Sequence, residues 1–394
     1  MTAVTVWQWA VVAPVVAGSL YAFASLFALR AVLGRARRTR PDPPAWPPVT
    51  VFKPVCGLEK GLRENLRSTC LQDYPDFQVV LSVQDADDPA LPLVREVQRE
   101  FGSERVTVAV HGGGTAPNGK IRNLIGAFPH ARHDVLVTSD SDVRLRPDYL
   151  KAVVAPLSDP TVGCAGTFYR AMGAETWYER MEQLTINAEL VPHFMFAHVT
   201  GAARFVLGAS NALHRSTLAA IGGFATRADC FVEDNEMGRQ ILASGRRVVL
   251  VPYFVDMTVG LESPSRWWSH LVYWDQINRT VNPVGVFAAV ILKAIPFALL
   301  FAAARLYDPL GLGVLAVAVT VRLAVSAAFL HGLGDRELGS LALLPLRDVA
   351  GIVSWALAFT RRTAVWRGGR YTLTSDRRMV PMATAPPAPD SRRP

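Results

Sequence analysis

The stretch from Val6 to Leu33 constrains this chain more than any other, because its only charged residue is Arg30, close to its end. About 20 apolar residues suffice to cross a bilayer, so the segment is long enough to span one. No Lys or Arg precedes it and no small-residue cleavage site follows it, so the pattern is an anchor and not a removable leader. Arg35, Arg37, Arg38 and Arg40 come next. The excess of positive charge on the cytoplasmic side of membrane helices then places the start of the chain outside and the residues after Leu33 in the cytoplasm. Residues 41–48 are proline-rich and cannot be helical.

A second membrane block begins near Pro283. Val284 to Ala304 and Leu310 to Leu330 read as two spans joined by a turn containing Asp308-Pro309-Leu310-Gly311. Lys293 and Arg322 inside them are costly unless they face protein, water or a lipid headgroup. A third apolar stretch, Leu338 to Phe359, is interrupted by Pro345, Arg347 and Asp348 and followed by Arg361, Arg362, Arg367 and Arg370. A full crossing there would put those arginines outside, against the charge rule. A re-entrant or interfacial hairpin is therefore expected, returning the C-terminus to the cytoplasm. The division is thus an anchor at 1–34, a basic connector at 35–48, a cytoplasmic domain at 49–282, a membrane block at 283–372 and a disordered tail at 373–394.

Composition agrees with that reading. Half of the 394 residues are hydrophobic and the mean hydropathy is +0.21, too apolar for an ordinary soluble domain. The formal net charge is +8. Because the arginines cluster beside apolar segments, the partner they fit is an anionic membrane surface and not nucleic acid. Cys56, Cys70, Cys164 and Cys230 lie far apart with no paired spacing, which argues for reduced packing cysteines.

Residues 49–282 alternate short apolar runs with helical patterns, the signature of an α/β domain with a largely parallel sheet. Strands are expected at Val49–Pro54, Phe77–Val83, Val106–Val110 and Asp134–Ser139, with helices at Leu62–Leu71, Ala90–Phe101 and Lys120–Phe128. In such sheets ligands sit beyond the carboxyl ends of the strands. Two acidic clusters fall at that edge, Asp85 with its neighbours and Asp140-Ser141-Asp142. Adjacent carboxylates repel unless a cation joins them, and a hard divalent ion takes oxygen ligands. Asp-x-Asp after a buried strand can hold Mg²⁺ or Mn²⁺ while the metal bridges a diphosphate. The same triplet also serves helix caps and solvated loops. Neither GxxxxGK[ST] nor GxGxxG after a strand is present, so neither a P-loop hydrolase nor a Rossmann dehydrogenase is supported. Gly112 to Gly114, ahead of Lys120, fit a surface loop as well as a ligand loop. Phe231-Val232-Glu233-Asp234-Asn235-Glu236 is a third acidic element. It reads either as an acidic helix start favoured by the dipole or as a general base at the mouth of a site. His193 and His198, in the apolar segment Leu190 to Leu207, read as packed or interfacial residues, and the segment could line an acceptor entrance.

Taken together, these residues resemble the ceramide glucosyltransferase family, including its bacterial members. The likeness runs through Lys53-Pro54-Val55-Cys56-Gly57, Glu64-Asn65-Leu66, Gln72-Asp73-Tyr74-Pro75, Val83-Gln84-Asp85, Asp88-Pro89-Ala90 and Lys120 with Asn123-Leu124. It continues through Asp140-Ser141-Asp142-Val143-Arg144 and Glu233-Asp234 to Leu344-Pro345-Leu346-Arg347-Asp348 and Trp366-Arg367-Gly368. The resemblance implies a GT-A catalytic domain facing the cytoplasm, held in the inner membrane by an N-terminal span and a C-terminal block. It also implies inverting transfer of a hexose from a UDP-sugar to a lipid hydroxyl, UDP-glucose to ceramide first among the possibilities, with a divalent cation as cofactor. Asp85 and Lys120 would bind the donor, Asp140 would bind both donor and metal with Asp142 beside it, and Asp234 would be the base. The family's (Gln/Arg)-x-x-Arg-Trp element is incomplete here, as His270-Leu271-Val272-Tyr273-Trp274 keeps Trp274 but not the arginine. Arg279, Arg266 or Tyr273 are the candidates to replace it. An interfacial aromatic belt of Trp267, Trp268, Tyr273 and Trp274 is the alternative. Transfer of N-acetylglucosamine or another hexose to a hopanoid or diacylglycerol, or a processive polysaccharide synthase, are the competing functions.

Overall fold

The computed structural model describes residues 6–36, 43, 45–112, 114, 116–203, 205–366, 369–374 and 376–382. Arg37, Arg38 and Arg40, most of the proline-rich connector before Ala45, Gly113, Arg367, Gly368 and the tail from 383 onward lie outside the described residues.

Helix α1 (Val6–Ala36) carries the first apolar segment. The central domain then alternates as its apolar runs dictate, through β1 (Val49–Val55), α2 (Leu62–Cys70), β2 (Phe77–Val83), α3 (Leu91–Phe101), β3 (Val106–Val110), α4 (Gly119–Ala127) and β4 (Val135–Ser139). After β4 come β5 (Val143–Arg144), α5 (Tyr149–Val154), β6 (Val162–Met172), α6 (Trp177–Thr185), α7 (Val191–Val199), β7 (Ser210–His214), α8 (Arg215–Ala220), α9 (Glu233–Ala243) and β8 (Arg247–Thr258). The eight strands form one sheet in the order β3-β2-β1-β4-β7-β6-β8-β5. Neighbours β3, β2, β1 and β4 pair in parallel, as do β6 and β8, while β7 and β5 run against their neighbours. Strands β1, β2 and β4 are buried along their whole length, as a sheet covered on both faces requires. In register Val49 pairs with both Phe77 and Val135, so Val55, Val83 and Ser139 end at one edge.

The rest of the chain builds around this domain: α10 (Pro264–Val281), α11 (Pro283–Ala289), α12 (Ala294–Ala304), α13 (Pro309–Gly332) and α14 (Leu344–Thr360), then a small antiparallel sheet of β9 (Thr363–Trp366), β10 (Gly369–Leu373) and β11 (Met379–Pro381). Among the described residues, Val6–Ala36, Pro309–Gly332 and Leu338–Thr360 are long and apolar enough to cross a membrane. The run expected at Val284–Ala304 is instead two helical pieces bent by 51° at a break next to Lys293. Pro296 explains the break, because inside a helix its ring would clash with the carbonyl four residues back, that of Leu292. Helix α1 fits against this point through Gly18, where a Cβ would stand 2.5 Å from the Leu292 carbonyl oxygen.

The stretch Leu338–Phe359 does not turn back as a hairpin. A 3₁₀ turn (Leu338–Leu343) leads straight into α14, with Pro345 in its first turn, where proline is tolerated. Yet the start of α14 touches the central domain and its far end touches α10. Leu344 packs with Leu184 and Ala188, and just past the other end the Thr363 carbonyl accepts from Gln276 Nε2 at 3.0 Å. Its buried face holds Arg347, Asp348, Gly351 and Ser354, while Leu346, Val349 and Val353 are exposed. A helix with its polar face inward and its apolar face outward is suited to lipid contact while lying along a protein. The expected disorder from 373 does not begin there. Arg378 pairs with Asp229, Met379 N donates to the Asp229 carbonyl at 2.7 Å, and Met379 is buried with Phe231, Ala364 and Leu373.

Lys293 and Arg322 do face protein. Lys293 Nζ lies 2.8 Å from Glu189 Oε1. Arg322 donates from Nε and Nη2 to Asp348 at 2.9 and 3.0 Å, and from Nη1 to the Ala188 carbonyl at 2.9 Å. Arg347 pairs with Glu189. The charges that interrupt the apolar pattern in sequence thus neutralise one another between helices.

Candidate active site

The turn after β4 sets the first part of the site. Asp140 N donates to the Ala209 carbonyl at 3.1 Å, Val143 N to the Asp140 carbonyl at 3.1 Å, and Thr258 N to the Asp142 carbonyl at 2.8 Å. Ser141, between the two carboxylates, is spent on structure. Its hydroxyl donates to Glu59 Oε2 at 2.6 Å and its carbonyl accepts from Asn65 Nδ2 at 3.2 Å.

Lys120, in the first turn of α4, gathers the second part. Its Nζ meets Asp140 Oδ1 at 2.7 Å and Glu233 Oε1 at 3.3 Å, and donates to the Gly208 carbonyl at 2.9 Å. The helix start is fixed by Asn118, whose side chain accepts from Ile121 N at 3.1 Å and donates to the Cys230 carbonyl at 3.0 Å. The loop ahead of α9 is thereby tied to α4. Asp234 sits in the first turn of α9 with Glu233 and Glu236, where the helix dipole favours acidic groups. Its Oδ1 accepts from Asn235 N at 2.7 Å.

These groups share one crowded field. Burial pushes the Asp234 carboxyl up to about 7, with Glu233 adding to the effect. Burial, then Asp140 and Glu59, push Asp142 up to about 7 as well. Asp142 Oδ1 is buried without a hydrogen-bond partner. Burial opposes the charge on Lys120, but Asp140 and Glu233 outweigh it and hold the amine well above its ordinary value. Beneath them Lys53, fully buried in β1, donates to the Val143 carbonyl at 2.7 Å. Burial lowers its pKa to about 8, against the pull of Asp142 and Asp140.

Asp85, Lys120, Asp140, Asp142, Asp234 and Trp274 all line one cavity of about 1290 Å³. Asp85 is exposed at its rim. Asp88, three residues on, is spent on structure, since its two oxygens accept from Gly57 N at 3.0 Å and Oδ1 also accepts from Ala90 N at 2.8 Å. Arg279 is not among the lining residues, whereas Arg266, His270 and Tyr273 are. Trp274 Nε1 donates to Glu182 Oε1 at 3.0 Å, and His270 Nδ1 lies 2.8 Å from the same oxygen. His193 lines the cavity beside Tyr21, with ring centroids 5.3 Å apart, while His198 packs edge-on against Phe168.

Lys53, Glu59, Glu182 and Glu189 were not singled out from sequence. One signal existed for Lys53, a cation inside the otherwise apolar strand Val49–Val55. The glutamates sit in helical or loop stretches of mixed polarity, and only the fold turns them toward the cavity. Among the described residues no group of three or more potential metal-ligating side chains occurs. Asp140 and Asp142 would therefore hold a cation only together with oxygens from a bound diphosphate or water. The partnerless Asp142 Oδ1 and the raised carboxyl fit that arrangement.

An α/β domain that gathers carboxylates at its strand ends, above a cavity reaching membrane-length helices, defines a membrane-associated glycosyltransferase of the GT-A type. The chain belongs to glycosyl transferase family 21, whose model matches residues 10–379. It is similar to ceramide glucosyltransferase 1 of Caenorhabditis elegans, at 22% identity over 54% of this chain and 46% of that protein. It is also similar to the ceramide glucosyltransferase of Gibberella zeae, at 29% identity over 45% of this chain and 36% of that one. The matched stretch thus spans less than half the length of these two curated relatives. Among solved structures, a mannosyltransferase from Pyrobaculum calidifontis in complex with GDP-Man and Mn²⁺ aligns over 88% of this chain and 98% of that chain, at 20% identity and a TM-score of 0.49.

Proposed function

We propose that this protein transfers a hexose from a UDP-sugar to the hydroxyl of a membrane lipid, UDP-glucose to ceramide being the reaction that the relatives' names favour. The observation that carries the reading is the continuity of the cavity. Its lining includes the acidic edge at Asp140 and Asp234, Tyr21 and Ala22 of α1, and Val321 and Phe329 of α13. A polar donor and an apolar acceptor can therefore meet in one enclosure larger than an ordinary small-molecule pocket.

The chain's own residues divide the work. Asp85 and Lys120 flank the donor, with Lys120 held charged and in place by Asp140 and Glu233. Asp140 and Asp142 would hold a divalent cation, Mn²⁺ or Mg²⁺, which when bound offsets charge on the departing diphosphate. Asp234 takes the proton of the lipid hydroxyl as its oxygen attacks the anomeric carbon from the face opposite the UDP, inverting that centre. Trp274 is fixed by Glu182 and forms one wall of the cavity.

Contacts of the C-terminal sheet support one sidedness. Strand β11 and Arg378 touch the loop at Asp229 to Phe231, so the C-terminal sheet lies on the same side as the catalytic domain. With α1, the bent α11–α12 pair and α13 crossing and α14 lying at the interface, Arg361, Arg362 and Arg370 fall on that side too. The charge rule supports reading that side as the cytoplasmic face of the membrane, the inner membrane in our proposal.

The test is purified full-length protein offered labelled UDP-sugars, Mn²⁺ or Mg²⁺, and a panel of ceramide, diacylglycerol and hopanoid. One labelled lipid is expected. A product that lengthens with time, or no lipid labelled under any condition, would overturn the proposal.

A further inference from the structure

Glu182 stands apart from the acidic edge already described. It lies in α6, its side chain is only 3% exposed, and it lines the same cavity. One of its oxygens, Oε1, accepts from Trp274 Nε1 at 3.0 Å, and His270 Nδ1 lies 2.8 Å from it in an ion-pair contact without forming a hydrogen bond. The other, Oε2, is buried with no hydrogen-bond partner. Leaving a buried carboxylate oxygen unmatched is costly, and such an atom in a folded protein calls for an explanation.

Its position supplies one. Tyr169 of β6, also on the cavity wall, has its hydroxyl driven upward in pKa by burial and then by the fields of Asp234, Glu182 and Asp142. Glu182 and Tyr169 thus line the same cavity as the base and the Asp-x-Asp turn. The same cavity extends to Val325 and Phe329 of α13. A lipid whose apolar part lies against α13 and whose hydroxyl reaches Asp234 occupies the cavity that Glu182 also lines.

We infer that Glu182 Oε2 receives a second hydrogen-bond donor of the acceptor headgroup, an amide N–H or a hydroxyl next to the one that is glycosylated. The ligand class is thus an uncharged lipid with at least two donors near its reacting end. A phosphorylated headgroup is disfavoured, since Glu182, Asp142 and Asp234 would all repel it. A headgroup with a single hydroxyl would leave Oε2 unmatched and bind more weakly. This deepens the proposed function and rests on it.

The experiment uses the full-length protein in detergent–lipid micelles with UDP-glucose as donor and two acceptors, ceramide and its N-methylated analogue, which lacks the amide N–H. In the wild type, kcat/KM for the analogue is expected to be lower by about tenfold or more, the usual worth of a hydrogen bond to a charged group. Glu182→Gln reads the same difference from the protein's side. Because Trp274 Nε1 holds the carbonyl of the new amide at the Oε1 position, the amide NH₂ falls where Oε2 was and presents a donor to a donor. The gap between the two acceptors should then shrink to about twofold, with KM for UDP-glucose unchanged. A purely structural role would depress both acceptors equally. An equal gap in wild type and variant, or no gap in the wild type, overturns the inference and leaves Oε2 matched by trapped water. If the variant fails to fold, the absence of a gap in the wild type still overturns the inference. Failure of the wild type to glycosylate any lipid is a different result, and overturns the functional reading beneath it.

Discussion

Gly208 stands so close to Asp234 that a Cβ on it would lie 2.8 Å from Asp234 Oδ2. The same glycine offers its carbonyl to Lys120 Nζ, so one backbone position spaces the base from the cation. Gly208→Ala must push the carboxylate aside, because its Oδ1 is already held by Asn235 N. Displacement of a reacting group by about 1 Å costs on the order of a hundredfold in rate. The expected outcome is a fall in kcat of that size with little change in the thermal midpoint, measured by lipid transfer and by unfolding in detergent.

The Asp234 carboxyl, pushed up to about 7 by burial and by Glu233, predicts a pH profile. A general base works only when deprotonated. Activity should therefore rise with pH toward a plateau above about 7 and fall roughly tenfold per unit on the acid side. Asp234→Asn should abolish transfer at every pH while UDP-sugar binding persists. A variant with near-normal turnover would show that the base lies elsewhere.

Much of this site was legible in sequence because the signals were local. An apolar run that ends in Asp-x-Asp marks a strand end, and spacing of apolar residues places Asp234 at a helix start. The paired charges in the membrane block were visible only as interruptions. Nothing in the local pattern reveals that Arg322 meets Asp348, 26 residues away, or that Arg347 meets Glu189 from another element. Arg279 misled for the converse reason. It lies on α10, which lines the cavity through His270, Tyr273, Trp274, Asn278 and Val281, but Arg279 itself is not among the lining residues.

The Arg322–Asp348 pair makes a stability prediction. Both members are largely buried, at 20% and 5% side-chain exposure. Removing one partner of a buried pair strands the other and costs about 3–5 kcal/mol. Asp348→Leu should lower the unfolding midpoint in detergent sharply, whereas Arg322→Met with Asp348→Leu should recover most of the loss. A single variant as stable as the wild type would mean that the pair is solvated in the membrane-bound protein.

Asp142 links function and stability with opposite signs. Its carboxyl is pushed up to about 7 by burial, then by Asp140 and Glu59, and its Oδ1 is partnerless, so without a cation the charged form is strained. An acid whose folded pKa lies above its unfolded value weakens the fold at any pH above the unfolded value, so the cost is fully present above about 7. Asp142→Asn removes that charge. In metal-free protein at pH 8 the variant should be at least as stable as the wild type. Adding Mn²⁺ should raise the wild-type midpoint but leave the variant's nearly unmoved, since binding to the folded state alone stabilises it. Transfer should be lost on chelation, return with Mn²⁺ or Mg²⁺ in the wild type, and remain depressed about a hundredfold or more in the variant. Equal stabilisation of both proteins by Mn²⁺ would remove Asp142 from the metal site and leave Asp140 as its one carboxylate from this turn.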